Sequence, residues 1–247
     1  MALVLLEWSA GLLAVSSWTQ SWAIVRRGHF RVVAWTGVLL AVLAGLALRA
    51  SGEAGLLIAG FVAVAAVYLA TQYMRVEPAA VAAGYAGGAL GVVALAFLAV
   101  LIPSWPWLPA VAGLLSGTLL LGAVTNGMLL GHWYLNQPGL KTWALSRLTS
   151  LSLVAVTASA AAGVAGGSLL ARASTEGAAF SLPGAGSLST AFFVIWLSLV
   201  AFTGTVVWMA RRCVEIRSIQ SATGLYYVAI LTAGVSEFIV RYLMLSA

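Results

Sequence analysis

The sequence predicts an all-α fold: a polytopic integral membrane bundle of about eight transmembrane helices, forming a single domain over residues 1–247. Three observations predict it. Only 7% of residues are Asp, Glu, Lys or Arg, where soluble domains carry about a quarter. Hydrophobic residues make up 62% of the chain, and the mean hydropathy is +1.05. The few charges come in clusters separated by apolar runs of roughly 20 residues, the length that crosses a hydrocarbon core at 1.5 Å per residue. These runs show no period-2 alternation, so they read as helices rather than barrel strands.

The first run, residues 2–25, has no Lys or Arg ahead of it and is followed by Arg26 and Arg27. A secretory signal has the opposite charge order, so this run reads as an uncleaved first helix. The second (31–50) and third (54–74) are closed by Arg49 and Arg75. Prolines punctuate the next two: Pro78 precedes 79–102, Pro103, Pro106 and Pro109 surround the start of 107–133, and Pro138 follows it. The sixth run is 145–171. The loop at 173–187 contains Pro183 and is rich in glycine and serine. The last two runs are 188–210 and 223–245. Gly84, Gly87, Gly88 and Gly91 in the fourth run, and the small residues at 158–168 in the sixth, provide faces for close helix contact. No repeat relates the two halves of the sequence.

Arg26, Arg27, Arg31, Arg75, Lys141, Arg147, Arg211, Arg212 and Arg217 lie at the odd-numbered connections, against Arg49, Arg172 and Arg241 on the other side. The positive-inside rule therefore places the odd connections in the cytoplasm and both termini outside, in a multi-pass protein of a bacterial inner membrane. The same asymmetry accounts for the net charge of +6, so the basic balance gives no reason to expect nucleic acid. Cys213 is the lone cysteine, which leaves no disulfide framework and no thiolate metal site.

Polar groups inside apolar spans are costly and mark candidate sites. One set lies towards the inner face: Asn126, His132, Trp133, Tyr134 and Asn136 around the end of the fifth run, with Gln72 (and Gln20, Trp22 and Tyr73) at the same depth. Donors and a titratable imidazole beside flat aromatic walls suit a quinone head group. A second set lies towards the outer face: Glu7 in the first run, with Glu237 and Arg241 on one face of the last at i, i+4. It reads as an ion pair with an additional proton-handling acid. Neither haem nor a metal is expected. The two histidines are His29, beside a loop, and His132, and the chain has no Asp for a Ser-His-Asp set.

The last run, from Thr223 to Leu243, resembles the closing helix of the membrane anchor subunits of dimethyl-sulfoxide-reductase-type oxidoreductases. Those anchors end in a glutamate, a following arginine and an aromatic residue, a pattern that Glu237, Arg241 and Tyr242 fill here. The resemblance covers about 20 residues and the eight-helix topology. It implies a haem-free, quinol-handling subunit that docks an iron–sulfur electron-transfer subunit and a catalytic subunit. It also implies a quinol site near the docking face, which favours Glu7, Glu237 and Arg241; the segment from Gly131 to Pro138 has no counterpart in the pattern. The leading expectation is thus a quinone-interacting membrane subunit of a respiratory or redox complex, with lipids and the two subunits as partners. The alternatives are a transporter or channel for protons or a small solute, and a structural, lipid-binding subunit of a supercomplex.

Overall fold

The computed structural model describes residues 1–49, 52–74, 76–102, 105–166 and 185–245, the last stretch with side chains from residue 191. The described residues form eight helices and no strand: α1 (Ala2–Gln20), α2 (Arg27–Leu48), α3 (Gly52–Thr71), α4 (Glu77–Val100), α5 (Trp107–Trp133), α6 (Trp143–Ala165), α7 (Ala185–Glu215) and α8 (Ile219–Leu245). All eight are long and apolar enough to cross a membrane. The chain is a multi-pass helical membrane protein. Arg75, Pro103, Arg172, Pro183 and residues 173–184 of the expected loop lie outside the described residues.

The helix ends differ from the apolar runs in a consistent way. Helix α2 starts at Arg27 rather than 31, and α7 runs to Glu215 rather than 210. Charge marks where the lipid ends, not where the helix ends. The carbon stems of Arg side chains lie along apolar surface while their heads reach out, and Arg211 and Arg212 pair with Glu215 inside the last turn of α7 at 3.5 and 2.8 Å. Conversely, α1 stops at Gln20 because the chain turns through Ser21 and Trp22 into Ala23, which has a left-handed φ of 54°.

Contacts between the helices repeat a single order. Helices α1 to α4 form a ring in which each packs on the next and α4 returns to α1. Helices α5 to α8 form a second ring in the same way, with α8 returning to α5. The rings meet chiefly along α1 and α5, the first helix of each. An architectural repeat is therefore present where the sequence shows none. Helix α1 sits deepest, with 72% of its span buried against 28% for α2, α3 and α7.

Small residues set the seams. A Cβ added at Gly122 would lie 2.4 Å from the backbone of Gly11, and one at Gly11 would meet the Thr118 carbonyl. The α1–α5 contact is thus backbone against backbone. On the other side of α1, Gly87, Gly88 and Gly91 of α4 admit Leu13, Ala14 and Ala10, and Gly84 makes room for Ser17 and Tyr68. These are the glycines the sequence marks for close crossing.

Replacing Gly122 by Ala should lower stability by about 1–3 kcal/mol, since neither helix backbone can give way. Gly224→Ala should be neutral or stabilising by up to about 1 kcal/mol, because nothing lies within 4 Å of its Cβ position and alanine favours the helix. Thermal unfolding of both variants in one detergent checks this; equal effects would contradict the described α1–α5 seam.

Candidate functional site

The chain begins and ends at one end of the bundle, opposite the basic connections, and there α1, α5, α6 and α8 converge on Arg241. Its guanidinium is 2% exposed and its carboxylate partners Glu7 and Glu237 are 0% and 1% exposed. Arg241 Nε donates to Glu7 Oε1 at 2.8 Å, and Nη2 lies 2.7 Å from the same oxygen. Nη2 also reaches Glu237 Oε2 at 2.8 Å and the Gly113 carbonyl at 2.7 Å, while Nη1 meets Met244 Sδ at 3.2 Å. Ser159 of α6 donates to Glu237 Oε1 at 3.0 Å.

Local sequence explains the convergence. The i, i+4 spacing puts Glu237 and Arg241 on one face of α8. Gly117 of α5 lies opposite, and a Cβ there would come within 2.5 Å of Glu237 Oε2. Small residues at the end of α6 and just beyond it admit two indoles, since Gly163 packs on Trp196 and Gly166 on Trp105. Beside the triad is a cavity of about 10 Å³, bounded by Ser116, Ser159, Trp105, Trp196, Glu237 and Arg241. That volume suits one water molecule. Three buried polar atoms here have no hydrogen-bond partner among the described residues: Glu7 Oε2 and the indole nitrogens of Trp105 and Trp196.

The residues expected to cluster at the other end are dispersed. Gln72 is buried and committed to Gln20: Gln20 Nε2 donates to Gln72 Oε1 at 3.0 Å, and Gln72 Nε2 donates back at 3.3 Å. Tyr68 hydrogen-bonds Ser16 at 3.0 Å and joins this pair. Asn126 lies deep between helices and donates to the Leu12 carbonyl at 3.5 Å. His132 and Asn136 are exposed, whereas Trp133 and Tyr134 are half-buried. Trp133 donates to Gln137 Oε1, and Tyr134 donates to the Lys141 carbonyl at 2.7 Å. Burial pushes the Tyr134 phenol up to about 12, so it remains a donor at neutral pH.

The buried histidine is His29, not His132. It occupies the first turn of α2 rather than a loop, is 1% exposed, and faces Asn126 and the Trp133 ring. Among the described residues, His29 Nε2 and Asn126 Oδ1 each lack a well-formed partner. Reading the Arg-Arg-Gly-His stretch as a connection hides this pair. At the triad, Ser159 and the Gly113 carbonyl also escape a residue-by-residue reading, because small residues look like packing and a carbonyl has no sequence signature. Among the described residues, no group of three or more His, Cys or Glu could hold a metal ion.

Compared with protein-family models, with curated proteins and with solved structures, the chain matches none.

Removing one member of a buried ion cluster strands the rest. Arg241→Met should therefore destabilise the protein by about 3–5 kcal/mol. Adding Glu7→Gln and Glu237→Gln to that variant should recover more than half of the loss. Unfolding free energies for the single, double and triple variants check the coupling, and simple additivity would contradict it.

Proposed function

We propose that this chain is a quinol-linked integral membrane subunit of a redox complex, whose working centre is the Glu7–Arg241–Glu237 cluster. The observation that carries the reading is two fully buried carboxyl groups sharing one guanidinium beside a water-sized cavity. If both acids were ionised, the cluster would hold one excess negative charge away from water, a state a single bound proton relieves. The pair can thus take up and release a proton without dismantling the salt bridges.

A quinol supplies two protons and two electrons on oxidation. In this reading the electrons leave to an iron–sulfur partner, and the protons pass one at a time by way of a water in the cavity to Glu237, which shares Arg241 with Glu7. Each proton is released at this end of the bundle before the next arrives, so the cluster never holds more than one. Arg241 stabilises the ionised acid, and Ser159 fixes the Glu237 carboxyl. The unpaired indole N–H groups of Trp105 and Trp196 are donors that a quinone carbonyl or the cavity water could engage. The cavity has no room for a ring, so the head group must sit outside it, against the indole wall. The resemblance of the closing helix to quinol-handling anchors supports the same choice of partner.

The water-sized cavity also favours a second reading, in which the same acids pass protons through the bundle with no quinol.

The two are separable. Purified chain in nanodiscs containing a menaquinone or ubiquinone analogue should retain quinone, and Trp105→Phe combined with Trp196→Phe, which removes both indole donors, should reduce retention about tenfold. His132→Ala should leave it unchanged. Liposomes carrying only this chain should show no proton flux under an imposed pH gradient. Flux that Glu237→Gln abolishes, without quinone retention, would establish the second reading and overturn the first.

A further inference from the structure

The basic end of the bundle carries a site of a different kind, independent of the cluster around Arg241. Arg147, in α6, lies against two indole rings: its Cζ is 4.5 Å from the centroid of Trp143 and 5.7 Å from that of Trp22. The rings are themselves fixed. Trp22 and Trp143 pack with centroids 5.3 Å apart, and Trp18 meets Trp22 edge-on at 4.7 Å. The turn that carries Trp22 is tied to the α5–α6 connection by Gln137. Its side chain donates to the Ile24 carbonyl at 2.8 Å and accepts from the Arg26 backbone N–H at 2.9 Å.

The aromatic faces hold this guanidinium in place, yet its donors are unused. Neither the Arg147 guanidinium nor the indole nitrogens of Trp22 and Trp143 hydrogen-bond to any described residue. No carboxylate answers the charge either. The described acids at this end are Glu77 and Glu215, and Glu215 is already engaged by Arg211 and Arg212. The topology rule asks only for positive charge at this depth; it does not ask for an exposed cation laid against two packed rings with its polar edge free. A planar fork of N–H donors fits a phosphate in bidentate fashion, and tryptophans at the ends of spans mark the level of the lipid headgroups.

We propose that Arg147, with Trp22 and Trp143, binds the phosphodiester of an anionic phospholipid. The guanidinium fork grips the phosphate, the indole N–H groups add donors, and the rings hold the fork in register. Basic pockets between transmembrane helices recognise anionic headgroups on this principle. Arg26 and Lys141, exposed at the same end and without ion-pair partners, add attraction for the anion but no register.

The test is native mass spectrometry of the full chain released from nanodiscs, comparing phosphatidylglycerol with phosphatidylcholine of the same acyl chains. The wild type should retain phosphatidylglycerol selectively. Arg147→Ala should reduce that retention about tenfold, and Arg147→Lys, which keeps the charge without the fork, about threefold. Arg217→Ala removes the same charge at the same end away from the indole cage, and should change retention less than twofold. Unchanged melting of the Arg147 variants shows that the bundle still folds; Arg147→Lys keeps the test valid if the alanine variant does not. Equal losses for Arg147→Ala and Arg217→Ala would reduce the effect to diffuse charge and overturn the proposal. So would displacement of the lipid by millimolar inorganic phosphate, or capture by Arg147 of a soluble acidic protein in place of the lipid.

Discussion

A guanidinium placed in hydrocarbon must find its counter-charges within the protein, and Arg241 finds them on two helices from opposite ends of the chain. Glu237 comes with it on α8, but Glu7 belongs to α1 and meets Arg241 at 2.7–2.8 Å. The bond joins the first helix of one four-helix ring to the last helix of the other. It also reaches the Gly113 carbonyl of α5, so three helices must be in place before the charge is satisfied. In a medium where apolar surfaces have little reason to prefer one another over lipid, such a knot specifies the arrangement better than packing alone.

The knot in turn depends on how closely the backbones approach. Carboxylate and guanidinium oxygens and nitrogens span short distances, and α5 can approach only because it presents Gly117 to the cluster. The same coupling recurs along α1. Gly84 leaves space for Ser17 and for the Tyr68 ring, whose hydroxyl bonds Ser16. Gly37 sits beside Leu13 and offers its carbonyl to Ser9. Polar residues on α1 and small residues on its neighbours therefore recur together: at Gly84 and Gly117 the space of a missing side chain holds groups that bond across or beside the seam. This explains how the most polar span can also be the most buried.

Much of the fold was legible because hydrocarbon sorts residues coarsely. Charge clusters and prolines bracket every span, and the bounds of α5 match the apolar run 107–133. The exact ends of α2 and α7 were not legible, since arginine belongs equally to a helix and to its flanking loop. Glu237 and Arg241 announced themselves by spacing. Placing Glu7 with them needed only depth and charge, although no local pattern names its partner. His29 was obscured by the arginines around it, and Asn126 gave no hint of facing it. The twofold contact order left no trace in the residues, because a ring of four helices requires only apolar faces and short connections, which many unrelated sequences provide.

The arrangement of buried polar groups bears on direction as well as chemistry. Along α5, Gly117 touches the carboxyl cluster and Asn126 meets His29, nine residues further on, or roughly 13–14 Å. Between them lies the Gly11–Thr118–Gly122 crossing, where two backbones are in contact and a Cβ will not fit. A water file cannot pass through that seam, and a proton hop needs hydrogen-bonding atoms within about 3 Å of one another. A route between the two ends would have to leave this crossing; the hydroxyls of Tyr226 and Ser152, 3.4 Å apart beside Gly127, are one polar pair that lies off it. The carboxyl cluster is thus wired more closely to its own end of the bundle than to the far one. That asymmetry favours chemistry that loads and discharges protons on one face over chemistry that carries them across.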